Sequence, residues 1–595
     1  MMLSKTIDYS LIKEFMMPKY LKDIPLDKMP EFCKEIRAKL IEIMSQTGGH
    51  VGVNLGVVEL TVALYRVFNF PNDSIIWDIG HQIYTQKMLT GRLKNLWENR
   101  KNGGSPGFAF RNEGDFDRVT SSHAGASISL ALGVAISNRL EKNDKFSVAV
   151  VGDGAYVEGS IQEAINHMAQ DKSKLLVILN DNEMAIENNF GGLHEYFKSR
   201  KIEDSKNETF FTSLGIPYLG PIDGHNVIEL VKKLDKIKKN LKKPTILHVK
   251  TVKGKGLEHM ADKSQTRIHW NQPFDPITGK DMASPRAKGH VVFAASAIKE
   301  ILKKDSNAVV ITPAVQSTNG LNEIFQEFSD RCFDVSLAEQ HGITLGGGFA
   351  LQGKKPIIAM ESTFMQRAFD QIHHDICINN LPVLIIAARS GHTGTDHITH
   401  NSLNDFAYLR CIPNLKIRYP SSHLDIKKII LEEFDNLNQP TVILFAKADL
   451  LDDSEEIITK DYEELEKSSE SKGLILSIGP QNKIGAELKK NLEREKIIFD
   501  QIAVTKISPI ATNLTKQILN YDYIVTLEES ILDGGFGSYI LEIINQNKKK
   551  SKIIRNGFDK QFIEHGTRDY IYKKYGLDAK SIFEKLKYSW PELWN

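Results

Sequence analysis

The sequence predicts an α/β protein of three domains, each a mainly parallel sheet flanked by helices. Short apolar runs of strand length, among them FSVAVV (146–151), LLVILN (175–180) and TILHVKTV (245–252), alternate with longer helix-patterned stretches. The alternation continues through VVITPA, PIIAM and PVLIIAA, as strand–helix–strand units require. At 595 residues the chain is also too long for one core, because cores stop growing near roughly 250–300 residues.

The alternation lapses twice. KGLEHMADKSQTRIHWNQPFDPITGKDMASPRAKG, residues 255–289, is polar and punctuated by Pro and Gly, and reads as a crossing segment that closes a first domain of residues 1–289. The acidic DLLDDSEEIITKDYEELEKSSESKG, residues 449–473, has no clear apolar face. It separates a second domain, 290–460, from a third, 461–595, in which GLILSIG, IIFDQIAV and YIVTLEE resume the pattern.

Composition excludes several classes of function. Lys plus Arg (76) and Asp plus Glu (75) nearly cancel, so no basic field draws the chain to nucleic acid or an anionic membrane. The longest apolar runs, such as residues 381–388, fall far short of the roughly 18 that a spanning helix needs. Cys33, Cys332, Cys377 and Cys411 lie far apart with no CxxC spacing, against a disulfide framework or a zinc cage and in keeping with a reducing cytoplasm. The opening MMLSKTIDYSLIKEFMMPKY, interrupted by Asp8 and Glu14, lacks the pattern of a secretory or organellar leader.

The stretch VAVVGDGAYVEGSIQEAINHMA followed by KLLVILNDNEMAI carries the most chemistry. A buried strand ends at Gly152-Asp153-Gly154, a helix follows from about Ser160, and a second strand ends at Asn180-Asp181-Asn182. In a parallel sheet both turns lie at the carboxyl edge, where ligands bind. The Asp153 carboxylate and the Asn182 amide oxygen are hard ligands suited to Mg²⁺, which takes six oxygens at about 2.0–2.1 Å and accepts a diphosphate as partner. Gly152 and Gly154 let the backbone approach that diphosphate, and the helix N-terminus faces it with its amides.

This GDG and NDN pairing resembles the diphosphate and metal motif of thiamine-diphosphate enzymes. The resemblance implies Asp153, the Asn182 side chain and the Met184 carbonyl as Mg²⁺ ligands, with Ala155 and His123 beside the cofactor. Such a cofactor needs a carboxyl group on its aminopyrimidine ring, and FDVSLAEQHGITLGGGFA offers Glu339 at the head of a small-residue helix. STFMQRAFDQ offers Phe364 to stack on the ring.

Together with TGGHVGVNLGVVELTVAL, IIWDIGHQIYTQKMLTGR, GPIDGHN, STFMQRAFDQIHHD, AYLRCIPNL and EESILDGGFGS, in this order, these segments resemble the 1-deoxy-D-xylulose-5-phosphate synthase family over nearly the whole chain. The resemblance implies a transketolase-like fold, a homodimer, and a cofactor lying between the first and second domains. It implies decarboxylative condensation of pyruvate with D-glyceraldehyde 3-phosphate, a transferase reaction of isoprenoid and thiamine biosynthesis. It places His50 and His81 in the cofactor and substrate cleft, His269 in proton handling, Asp396 and His400 on the acceptor side, and Arg389 and Lys447 at the acceptor's phosphate. The C-terminal domain, with GGFGS at 534–538, is expected to serve assembly more than chemistry.

The chain departs from the family pattern mainly at the substrate end. Glu361 stands where the family carries tyrosine, Lys447 where arginine is usual, Val53 for serine and Phe369 for tyrosine. SSHAGAS (121–127) replaces a serine-rich stretch, and the connection between Ile186 and Phe210 is short. Lys447 keeps the charge but loses the planar fork that grips two phosphate oxygens. These changes leave two catalytic readings open, the family reaction and a related carboligase with another acceptor or donor. A catalytically silent homologue stands third, disfavoured by retention of Glu339, Asp153 and Asn182.

Overall fold

The computed structural model describes residues 9–185, 189–202, 208–260, 269–282, 289–448, 461–466, 468 and 470–594. Four of the expectations above fall partly outside these residues: the leader reading (1–8), the crossing segment (261–268 and 283–288), the short connection (186–188 and 203–207) and the acidic lapse (449–460, 467 and 469).

The chain forms two compact units, residues 1–285 with 336–338, and residues 286–335 with 339–595. In the first, β1 (Ser74–Trp77), β2 (Ser147–Gly152), β3 (Leu175–Asp181), β4 (Tyr218–Asp223) and β5 (Thr245–Lys250) form a parallel sheet in the order β1-β2-β3-β5-β4. The middle strands are nearly continuous Val, Ile and Leu because both faces are covered. Val148 and Val150 join one core with the helix Met29–Thr47, while Ala149 and Val151 join the other with the helices Ser127–Leu140 and Gly159–Met168. Gly152 pairs with Asn180 in register, which puts the GDG and NDN turns side by side at one carboxyl edge, as the spacing predicts.

The second unit continues with β6 (Ala308–Thr312), β7 (Cys332–Asp334), β8 (Lys355–Glu361), β9 (Leu384–Ser390), β10 (Lys416–Arg418) and β11 (Thr441–Ala446). β12 (Tyr462–Glu466), β13 (Gly473–Ser477), β14 (Phe499–Val504), β15 (Lys506–Ser508), β16 (Tyr523–Ile531) and β17 (Lys552–Phe558) follow. They make two sheets, β15-β10-β11-β9-β8-β6-β7 and β12-β14-β13-β16-β17, parallel except for β15 and β12. The short strand β15, from the third predicted segment, thus closes the edge of the sheet built by the second. β11, β9 and β8 are neighbours, so their carboxyl ends bring Lys447, Arg389 and Glu361 to one edge. No described helix is long and apolar enough to cross a membrane.

Candidate active site

In the first unit three histidines meet. The helix Met29–Thr47 stops at Gly48, which at φ 70° takes a conformation costly for a residue with a Cβ, and whose added Cβ would sit 2.6 Å from the Asn271 carbonyl oxygen. That close approach lets Gly49 and Asn271 exchange backbone hydrogen bonds of 2.9 and 3.0 Å, which ties the stretch bearing His269 beside His50. The buried Asn54 amide donates to the carbonyls of both His50 (2.7 Å) and His81 (2.8 Å), fixing the two turns together. Ring centroids of His50, His81 and His269 lie 5.3, 5.5 and 5.6 Å apart. Burial, then the Lys253 ammonium and the other two imidazoles, holds His269 well below the usual histidine range, which favours the neutral imidazole. His123 sits half-buried on a neighbouring turn whose backbone is anchored where Gly125 and Ser127 donate to the Asp78 carboxylate (both 3.0 Å).

At the paired turns, the Asn182 amide N–H donates to Asp153 Oδ1 (3.3 Å), the Asn189 side chain to Asp153 Oδ2 (3.3 Å), and the Met184 N–H to Asn182 Oδ1 (3.2 Å). The three expected metal ligands are therefore adjacent. Burial, with the nearby Asp181 charge, pushes the Asp153 carboxyl up to about 7, a cost that a divalent cation would offset. The donor set of carboxylate, amide oxygen and backbone carbonyl suits Mg²⁺. The two glycines differ in their reason. A Cβ on Gly152 would meet nothing within 4 Å, leaving room for a ligand, whereas one on Gly154 would lie 2.8 Å from the Ala185 Cα. Gly154 thus also lets the two turns pack together, a requirement additional to the approach to a diphosphate expected of it. Ala155 is buried in the short 3₁₀ turn Ala155–Val157 that leads to the helix Gly159–Met168. The Lys253 ammonium donates to the Ala185 carbonyl (2.9 Å), a contact no sequence motif announces.

In the second unit Glu339 opens the helix Glu339–Leu351 and is only 3% exposed, unlike the solvated helix-start glutamate its position alone would suggest. Arg367 faces it, guanidinium to carboxylate, at 3.6 Å. Phe364 meets His400 edge to face, with ring centroids 6.0 Å apart. Arg389, at φ 65° past the end of its strand's regular register, reaches Glu361 at 3.4 Å and Asp396 at 3.8 Å. Lys447 lies 3.9 Å from the same Asp396 oxygen. The two cations and two carboxylates alternate, so the cluster carries no net charge. His290, buried near Arg389, Lys447 and Arg568, is lowered to about 3, mainly by burial and then by the Arg389 and Lys447 charges.

A buried carboxylate absent from the predicted set orders these turns. Asp405 accepts hydrogen bonds from Ser362 (2.5 Å), Ser390 (2.8 Å) and Ser402 (2.5 Å), which flank Glu361, Arg389 and His400 respectively. Burial raises its pKa, and the three hydroxyls oppose that rise.

Three family models match successive stretches of the chain. Residues 12–209 and 198–251 match the model of 1-deoxy-D-xylulose-5-phosphate synthase, residues 292–451 that of the transketolase pyrimidine-binding domain, and residues 463–582 that of the transketolase C-terminal domain. The 1-deoxy-D-xylulose-5-phosphate synthase of Clostridium tetani is 36% identical over 612 residues, covering 95% of this chain and 97% of its own. Those of Pseudoalteromonas translucida and Haemophilus influenzae are 36% and 35% identical, each covering 97% of this chain. The chain belongs to the 1-deoxy-D-xylulose-5-phosphate synthase family.

For a member of this synthase family, the second unit holds what the motifs did not foretell. Glu361 is engaged with Arg389. Asp405, His290 and Arg568 belong to no recognisable motif, because each also engages groups on other elements.

Proposed function

We propose that this chain condenses pyruvate with D-glyceraldehyde 3-phosphate, forming 1-deoxy-D-xylulose 5-phosphate and carbon dioxide. Its relation to synthases of that name over nearly the full length of both chains carries the reading. The cofactor is thiamine diphosphate, which when bound supplies a nucleophilic carbon and an electron sink. Asp153, Asn182 and the Met184 carbonyl hold Mg²⁺, and the open space at Gly152, next to Ala155 and His123, takes the diphosphate.

Glu339, buried and faced by a cation, would hold the aminopyrimidine ring through a hydrogen bond from its carboxyl group, and Phe364 would offer that ring an aromatic face. The neutral His269, with His50 and His81, accepts or relays a proton in the donor half. Arg389 and Lys447 hold the acceptor's phosphate, with Asp396 beside both cations and His400 on the same acceptor side. The three predicted domains, 1–289, 290–460 and 461–595, divide this work, the first taking the diphosphate and the second the pyrimidine. The enzyme works in the cytoplasm as a homodimer, binds neither membrane nor nucleic acid, and feeds isoprenoid and thiamine biosynthesis.

The Glu361–Arg389 pair favours a second reading, in which an aldehyde of lower negative charge is the better acceptor. Mass spectrometry of products from the purified protein with thiamine diphosphate, Mg²⁺, pyruvate and a panel of aldehydes decides between them. Deoxyxylulose phosphate as the main product is expected. Product from unphosphorylated aldehydes alone would replace the first reading with the second.

A further inference from the structure

Residues 563–568, after β17, lie against the turn 391–402 that bears Asp396 and His400. The Asn401 amide donates to the Ile563 carbonyl (2.8 Å), and the Gly566 N–H donates to the Gly394 carbonyl (3.1 Å). His392 Nε2 lies 3.2 Å from the Glu564 carbonyl oxygen. Arg568 then reaches across two chain segments at once. Its Nη2 donates to the His392 carbonyl (2.7 Å) and its Nη1 to the Lys447 carbonyl (2.9 Å).

The guanidinium is itself fixed. Glu529, on β16, accepts from Nε (2.6 Å) and Nη2 (3.3 Å), and the Tyr572 hydroxyl donates to the same carboxylate (2.8 Å). Only a planar fork with five donors can hold a carboxylate on one side and two carbonyls on the other. Because Glu529 balances its charge, Arg568 acts here through geometry more than through its field. The two backbones it joins carry Lys447 and, four residues past His392, Asp396, whose side chains stand 3.9 Å apart.

We propose that Arg568 is a positioning residue for acceptor binding, setting the spacing of Lys447 and Asp396 from the C-terminal sheet. The proposal rests on the reading that Arg389 and Lys447 take the acceptor's phosphate. A lysine at 568 keeps the charge and cannot make both carbonyl bonds while holding Glu529.

The test is steady-state kinetics of the holoenzyme carrying Arg568→Lys, with glyceraldehyde 3-phosphate and with unphosphorylated glyceraldehyde. The expected result is at least a fivefold rise in KM for the phosphorylated acceptor. The KM for glyceraldehyde, the KM for pyruvate and the affinity for thiamine diphosphate should each stay within about twofold. Asn401→Ala, which frees the same turn from Ile563, should shift the same KM, and the double variant should show less than the product of the two effects. An unchanged acceptor KM in Arg568→Lys overturns the proposal, as does a loss that strikes every parameter equally together with a lowered melting temperature. Wild-type protein that turns over only unphosphorylated aldehydes removes the functional reading underneath, whereas wild-type turnover of glyceraldehyde 3-phosphate with Arg568→Lys unaltered removes the proposal alone.

Discussion

The Glu361 carboxylate stands 3.4 Å from the Arg389 guanidinium, at the adjoining carboxyl ends of two parallel strands. Two unit charges about 4 Å apart interact by about 4 kcal/mol at an effective dielectric near 20. Arg389 remains partly open to solvent, and screening reduces this to roughly 1–2 kcal/mol. An acceptor phosphate held at Arg389, as proposed above, would have to compete with that carboxylate for the arginine. Glu361→Gln, which keeps the shape and removes the charge, should lower the KM for glyceraldehyde 3-phosphate about tenfold. An unchanged KM in titrations with this acceptor would show that the pair lies outside the phosphate's reach.

Glu339→Ala should reduce kcat by about 10²- to 10⁴-fold, the usual contribution of a positioned acid or base. Circular dichroism should remain that of the wild type, since Glu339 stands at the first turn of its helix and contributes no apolar packing to the core. Full turnover in this variant would remove the carboxylate from the chemistry.

Removing the metal with a chelator should abolish activity, and Mg²⁺ should restore it. Asp153→Asn keeps the hydrogen-bonding shape of the turn but loses its charge, so the Mg²⁺ concentration for half-maximal activity should rise at least tenfold. Calorimetric titration of Mg²⁺ in the presence of thiamine diphosphate checks this directly. Equal metal affinity in the two proteins would move the site elsewhere.

His290 makes the fold acid-sensitive. Its pKa of about 3 in the folded protein lies below the unfolded value near 6.5, so the unfolded chain takes up a proton first as pH falls. Its contribution is complete above about pH 6.5 and lost progressively between 6.5 and 3, the loss reaching about 2 kcal/mol at pH 5. His290→Gln should therefore show a smaller fall in melting temperature between pH 7 and pH 5 than the wild type. Parallel melting curves for the two proteins across that range would show that the residue takes up its proton in the fold.

The parts of the site legible in the sequence are those whose chemistry sits within one strand–turn–helix unit. GDG and NDN could be read because each ends a buried strand, and parallel neighbours bring their ends together. The helix-head position of Glu339 was equally local, although its burial was not. The partners of Glu361, Asp405 and Arg568 lie on other strands and turns, and no periodicity encodes such distances. Gly154 shows the same limit on a smaller scale: its glycine was expected for a ligand, and the close approach of the Ala185 backbone is a second demand that no motif displays.

With Ser362, Ser390 and Ser402 all gathered on one carboxylate, the three turns they flank are laid down as a single template. Selection acting on Glu361, Arg389 or His400 can exchange one tip at a time while the template keeps its shape. The side chains at the tips of these turns can therefore differ while the spacing of the turns, set from behind by Asp405, stays the same.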